Sequence, residues 1–289
     1  MNYVDSQSFN SGFSMSASGK KIHRRNFIAL ASASAMAGLC GCRSVPMTGR
    51  KQMVFIPEGK EISLGIQAFE ETLTEKPKSQ NAVAVEMVKR VGDRIARVAN
   101  RPDYQWEFVL LQSSEQNAFC LPGGKVAVHE GILPVCDNEA GLAVVMSHEV
   151  AHALARHGGE RMSQGMAVNG VKQAVDMVTT AKLPDKKAMI LKAYGVASEI
   201  GYVLPYSRKQ ESEADEIGIM LMAQAGYDPQ EAPRFWERFG SAKGSTKTPE
   251  FLSTHPSDAR RAEDLANLVD SAVENYRRAP VKYGNGQPI

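Results

Sequence analysis

A mostly helical α+β domain, with a small sheet and hairpin ahead of one strongly apolar helix, is the fold predicted by this 289-residue sequence. Three observations carry the expectation. Two short apolar runs flank Pro122-Gly123-Gly124 and read as strand, turn, strand. From Asn138 onward apolar residues recur at helical spacing almost throughout. The chain is 43% hydrophobic and 23% charged, ordinary for a globular domain, which excludes a wholly disordered or collagen-like chain.

Taken in order, residues 1–41 read as an address and not as part of the fold. A polar stretch leads into Lys20-Lys21-Ile22-His23-Arg24-Arg25, then the uncharged run Phe27 to Leu39. A basic block followed by a short apolar run is the pattern of an export signal, and the run is too short to span a bilayer. Arg24-Arg25-Asn26-Phe27-Ile28 resembles a twin-arginine export motif, so that route and the general secretory route both stay open. Leu39-Cys40-Gly41-Cys42 resembles a bacterial lipobox with Cys42 as the lipid-bearing residue, although Cys40 replaces the usual small residue. Without residues 1–41, which carry Lys20, Lys21, Arg24, Arg25 and Asp5, the formal charge of +2 becomes −1. No nucleic-acid partner is expected from that balance.

Residues 42–58 are expected to be a lipidated tether, residues 59–276 the folded domain, and residues 277–289 a loose tail. Helical spacing appears in Ile62 to Leu73 and Val83 to Val98. Trp106 to Leu111 predicts a strand, as do Asn117 to Leu121 and Lys125 to Val128. Further helices follow, with breaks expected at Gly158-Gly159, Leu183-Pro184, Leu204-Pro205, Gly226 and the Gly240 to Pro249 loop. Four cysteines are too few for a disulfide scaffold; Cys120 and Cys136 could be paired or remain buried thiols.

The chemistry lies in His148-Glu149-Val150-Ala151-His152, an H-E-x-x-H within the helical segment Asn138 to His157. Residues four apart project from one helix face a turn apart, which suits two corners of a Zn²⁺ tetrahedron. Glu149 is one step round, placed to take a proton from an activated water. Ala155 and Gly158 stand where a metzincin needs Gly and His, so that class is excluded. His157 lies about half a turn round from His148 at ~100° per residue and reads as a surface or packing residue. For a third ligand, Asp176 is the acidic residue nearest the thermolysin-like spacing of some twenty residues, but the richer candidate is the predicted helix Ser207 to Ala225. There Glu211 and Asp215 share a face, while Glu213 points away and, with Glu216, reads as solvated. Glu211 could complete the ligand set, and Asp215 could fix the tautomer of a ligand imidazole.

His148 to His152 followed by Ala153-Leu154-Ala155-Arg156-His157-Gly158 resembles the M48 metallopeptidases. Within them the chain is similar to the bacterial envelope lipoproteins related to the mitochondrial peptidase Oma1. Pro46-Met47-Thr48-Gly49-Arg50, Asn117 to Gly124, Ser207 to Asp215 and Leu252-Ser253-Thr254-His255-Pro256 extend the likeness over Val45 to Tyr276. The resemblance implies a gluzincin-type domain holding one Zn²⁺ on His148, His152 and Glu211, with Glu149 as the base. It gives Asp215 the supporting carboxylate position, sometimes described as a proton donor. It also implies that an extended substrate adds to an edge strand ahead of the active helix, for which the Phe119 to Val128 hairpin is the candidate. Two departures stand out: His129 occupies a position usually tyrosine-like, and no helical repeat follows the domain.

The same resemblance places His255 near the zinc cleft. There it could donate to the oxyanion or occupy the metal's open position at rest; otherwise it caps a helix beginning near Pro256. The expected function is therefore zinc-dependent endoproteolysis of misfolded or membrane-associated proteins at the periplasmic side of a bacterial inner or outer membrane. The alternative is a zinc-stabilised lipoprotein chaperone or assembly factor with little or gated proteolysis.

Overall fold

The structure, a computed structural model, describes residues 42–175, 207–241, 250–255 and 260–289. The chain divides into a unit of residues 1–40 and a unit of residues 41–289, and the described residues all belong to the second. The expected leader, Asp176 and the breaks at Leu183-Pro184 and Leu204-Pro205 lie outside the described residues.

The predicted α+β architecture is what forms. An antiparallel hairpin, β1 (Cys42–Ser44) and β2 (Lys51–Met53), precedes two helices, α1 (Glu58–Glu75) and α2 (Ala82–Val98). Asn81 starts α2 by accepting from the Ala84 N–H at 3.1 Å. Strands β3 (Glu107–Leu111), β4 (Ala118–Leu121) and β5 (Lys125–His129) make a mixed sheet in the order β3-β5-β4, parallel for β3 and β5 and antiparallel for β4 and β5. The Pro122-Gly123-Gly124 turn joins the last two because Gly123 and Gly124 supply φ of 92° and 83°. The short α3 (Leu133–Cys136) leads to α4 (Glu139–Leu154), then α5 (His157–Val175), α6 (Arg208–Gln224), α7 (Glu231–Ser241), α8 (Glu250–Thr254) and α9 (Arg261–Arg278).

Helix α4 is the centre. Asn138 caps it by accepting from the Gly141 N–H, and all its residues are buried. A helix buried all round has no solvent face to keep, so it becomes an axis on which the other elements pack. Helix α6 lies directly against it: a Cβ on Gly218 would sit 3.2 Å from both Cα and N of His148. That glycine permits the close approach that brings Glu211, two turns earlier on α6, within reach of His148. Ser207 and Gln210 form a reciprocal capping box that fixes where α6 begins.

Three expectations change. Helix α4 stops at Leu154 because Arg156 adopts the left-handed conformation (φ 55°), and the Gly158-Gly159 pair lies inside α5. Residues 42–58 do not hang free as a tether. Gln52, Val54 and Ile56 are buried while Lys51, Met53 and Phe55 face outward, and Gln52 Nε2 donates to the Ala155 carbonyl at 2.9 Å. Residues 277–289 are not a loose tail. The Glu139 and Ala140 N–H groups, orphan donors of the first turn of α4, donate to the carbonyls of Gln287 (2.9 Å) and Asn285 (3.0 Å). Tyr283 lies under the Arg94 guanidinium at 3.5 Å, and its N–H donates to Gly226, whose φ of 90° ends α6.

Deleting Tyr283–Ile289 removes these backbone bonds, each worth about 1 kcal/mol. The expected result is a fall in melting temperature on the order of 10 °C, measured by circular dichroism. A truncated chain melting within about 2 °C of the full chain would show that the tail does not support α4.

Candidate metal centre

His148 and His152 stand one turn apart on α4, with their Nε2 atoms 3.1 Å from each other. Glu211 of α6 brings Oε1 to 3.4 Å from His152 Nε2 and Oε2 to 3.5 Å from His148 Nε2. His255, just after α8, places Nδ1 3.2 Å from His148 Nε2 and 3.0 Å from Glu211 Oε1. All four residues are buried, and together they could hold one metal ion.

The donor set fits zinc. Bonds of about 2.0–2.1 Å to a tetrahedral Zn²⁺ put donor atoms roughly 3.3 Å apart, the spacing of these atoms. Three imidazole nitrogens and a carboxylate are also a ligand type that suits zinc. Protons alone serve the arrangement poorly. Unprotonated Nε2 lone pairs facing each other at 3.1 Å repel, whereas a cation between them satisfies both.

Glu149 lies beside this set, with Oε1 3.3 Å from His255 Nε2. Burial pushes its carboxyl up to about 7. A carboxylate with that proton affinity is matched to taking up and releasing a proton near neutrality. Burial would likewise raise Glu211, but the charges of His255 and Arg261 hold it well below the usual carboxylate range. Burial drives His152 well below the usual imidazole value.

Asp215, one turn beyond Glu211, has Oδ1 3.0 Å from His148 Nδ1. Arg261 grips the same carboxylate, Nε donating to Oδ2 at 2.8 Å and Nη2 to Oδ1 at 2.7 Å. The Arg261 guanidinium itself rests 3.5 Å from the Trp236 ring centroid. This places α9 as a brace for α6.

The structure brings His148, Glu149, His152, Glu211, Asp215 and His255 together in one buried cluster. It also decides one reading and corrects another. Of the surface and packing readings of His157 only packing holds: it is wholly buried, with Nδ1 2.9 Å from His152 Nδ1 and Nε2 2.8 Å from Glu213 Oε2. Glu213 is not solvated; it is 5% exposed and is held by His157, Thr48 and Arg50, which lower its carboxyl to about 2 against the effect of burial. Glu216 is exposed as expected. His255 is buried just after α8 and so is not a surface residue, and its N–H donates to the Phe251 carbonyl at 2.8 Å. The residues from Pro256 to Ala259, where a helix start was expected, lie outside the described residues. His129 sits apart from the centre, buried, with Nδ1 3.1 Å from Glu115 Oε2. Cys120 and Cys136 are free, buried thiols.

Comparison with known proteins agrees with this geometry. Residues 84–269 match the model of peptidase family M48. The mitochondrial metalloendopeptidase OMA1 of Schizosaccharomyces pombe is 41% identical over 186 residues, which cover 64% of this chain and 53% of that protein. OMA1 of Saccharomyces cerevisiae is 29% identical over 254 residues, 81% of this chain and 71% of that protein. The beta-barrel assembly-enhancing protease of Escherichia coli is 29% identical over 234 residues, 78% of this chain and 48% of that protein. The chain therefore spans about half the length of the S. pombe and E. coli relatives. The match runs from α2 through α9 and takes in both the H-E-x-x-H helix and the helix bearing Glu211: the chain belongs to peptidase family M48.

Proposed function

We propose that this protein is a zinc-dependent endopeptidase of the bacterial cell envelope, held to a membrane by lipid on Cys42 and acting on misfolded or membrane-associated proteins. The observation that carries the reading is the convergence of His148, His152 and Glu211 beside a buried Glu149. The names of the relatives, metalloendopeptidases and a protease, support the same activity. The envelope setting rests on the lipobox-like Leu39 to Cys42 stretch and on the likeness to an E. coli protease named for enhancing β-barrel assembly.

In this reading His148 and His152 bind through Nε2 and Glu211 through its carboxylate. When bound, the zinc ion supplies Lewis acidity that polarises a scissile carbonyl and acidifies water. Glu149 accepts the water proton and later delivers it to the leaving amine. Asp215, held by Arg261, accepts from His148 Nδ1–H and so fixes the tautomer that leaves Nε2 free. An extended substrate would pair with β4, one of the two edge strands of the three-stranded sheet and part of the Phe119 to Val128 hairpin. His255 Nδ1 lies within the same donor cluster, so in this reading it would hold the metal's fourth position at rest, in place of water or substrate. That placement favours gated over continuous proteolysis.

Four substitutions test the reading. Glu149→Gln keeps the shape of the side chain and loses its proton affinity. Zinc content by mass spectrometry should stay near one per chain while peptide cleavage falls by about 10³-fold or more; undiminished cleavage refutes the mechanism. Glu211→Ala should strip the metal. His255→Ala should raise basal cleavage several-fold with zinc retained; a loss of about 10²-fold would instead make His255 an oxyanion donor and end the resting-state reading. For the anchor, Cys42→Ala should abolish lipid labelling and release the protein from membranes, and labelling that moves to Cys40 overturns the assignment.

A further inference from the structure

A zinc-binding imidazole uses one ring nitrogen on the ion, and the other nitrogen needs a partner that fixes its tautomer and orientation. Asp215 serves His148 directly. At His152 the arrangement is longer. Its Nδ1 faces His157 Nδ1 at 2.9 Å, and His157 Nε2 faces Glu213 Oε2 at 2.8 Å. Glu213 in turn accepts from Arg50 Nε at 2.6 Å and from Thr48 Oγ1 at 2.5 Å. Arg50 also grips Glu160 of α5 with Nη1 (2.9 Å) and Nη2 (2.8 Å), and Gln210 of α6 donates to the same Glu160 at 2.9 Å.

With both imidazoles neutral, one placement of protons fits this chain. An ionised carboxylate accepts only, so His157 must carry its proton on Nε2 and donate it to Glu213. Its Nδ1 is then an acceptor, and His152 must carry a proton on Nδ1 to meet it. That leaves His152 Nε2 unprotonated and turned toward Glu211 and His148, the state a metal ligand requires. The opposite tautomer of His157 would set two N–H groups, or two lone pairs, against each other at one of the two short contacts.

We propose that His157 and Glu213 are positioning residues for His152, and that Thr48 and Arg50 of the N-terminal strap clamp Glu213, so the strap helps set the strength and geometry of the metal centre. The proposal rests on the zinc reading above. It assigns a task to three features which that reading leaves unused: a wholly buried histidine next to the H-E-x-x-H helix, a buried carboxylate on the far side of α6 from Arg261, and the Pro46–Arg50 turn. In that turn Met47 and Gly49 take positive φ (68° and 69°), and the chain reverses so that Thr48 and Arg50 both reach Glu213. If Cys42 carries lipid, the anchor lies eight residues before Arg50, so the segment nearest the membrane is also tied to the metal centre.

The test uses the full chain as wild type, His157→Leu, His157→Asn, Glu213→Gln and Arg50→Ala. Zinc affinity is read by competition with a chelator, and geometry by the visible absorption of the cobalt(II)-substituted protein. His157→Leu and Glu213→Gln should raise the zinc dissociation constant by about 10–100-fold and shift the cobalt bands. His157→Asn should recover part of the loss, because its side-chain oxygen can accept from His152 Nδ1–H. Arg50→Ala should weaken zinc less than His157→Leu does. A purely structural role would lower the melting temperature of the metal-free protein and leave the cobalt bands where they are. Unshifted bands, with a zinc constant within about threefold of wild type, overturn the proposal. If His157→Leu does not fold, the isosteric Glu213→Gln carries the same two readouts. Wild-type protein that takes up no zinc would sink the zinc reading itself, a result distinct from wild type that binds zinc and variants that bind it equally well.

Discussion

Everything in this domain depends on placing polar, metal-seeking side chains on a helix that has no exposed face. Each residue of α4 is buried, so His148, Glu149 and His152 enter the interior with it. A buried polar group without a partner costs about 1–3 kcal/mol, and an unpaired charge costs far more. The interior is therefore committed to satisfying them. Glu211 and Asp215 arrive from α6, Arg261 from α9, and His255 from the end of α8. Each carboxylate is in turn matched by a cation or a hydrogen-bond donor. The four helices are consequently placed by the needs of one centre as much as by apolar packing.

The same demand explains the outer layer. Arg156, in its left-handed turn, ends α4 and donates to Glu61 of α1 and to the Ile56 carbonyl. Arg50 spans Glu160 and Glu213. Glu139, at the first turn of α4, is held by Arg90 and Arg94, while the C-terminal residues supply carbonyls to the helix's free N–H groups. Segments that a sequence reading treats as appendages, at both ends of the domain, thus brace the two ends of the active helix. Breaking one partner of such a buried pair is more damaging than never having had the pair, because the remaining charge is left without compensation.

Most of the fold and the core of the site were legible in the sequence, for definite reasons. The strand-turn-strand of Ala118 to His129 was announced by a turn that needs Gly123 and Gly124. The H-E-x-x-H spacing translates into geometry through helix periodicity alone, and the same rule put Glu211 and Asp215 on one face. Periodicity failed where its premises failed. His157 was projected along α4 at ~100° per residue, but Arg156 breaks the helix and redirects it into the interior. Periodicity turns Glu213 away from Glu211 and so toward solvent, yet α6 is buried on several sides and the Pro46–Arg50 turn covers the face where Glu213 lies. His255 could not be joined to the centre by local pattern, since its contacts with His148 and Glu211 span 107 and 44 residues of chain. The Pro46–Arg50 stretch marked the family likeness without revealing its purpose, which appears only when Arg50 is seen beside Glu160 and Glu213.

The central claim is that imidazole and carboxylate donors from α4, α6 and the end of α8 hold one zinc ion. Zinc-edge X-ray absorption on the purified, zinc-loaded chain tests it most directly. The account predicts four nitrogen or oxygen donors at about 2.0–2.1 Å, with scattering from the outer atoms of the His148, His152 and His255 rings. In the His255→Ala protein one imidazole contribution should be lost while the metal stays. A sulfur shell near 2.3 Å, pointing to Cys120 or Cys136, or a chain that retains no zinc at all, would contradict the account.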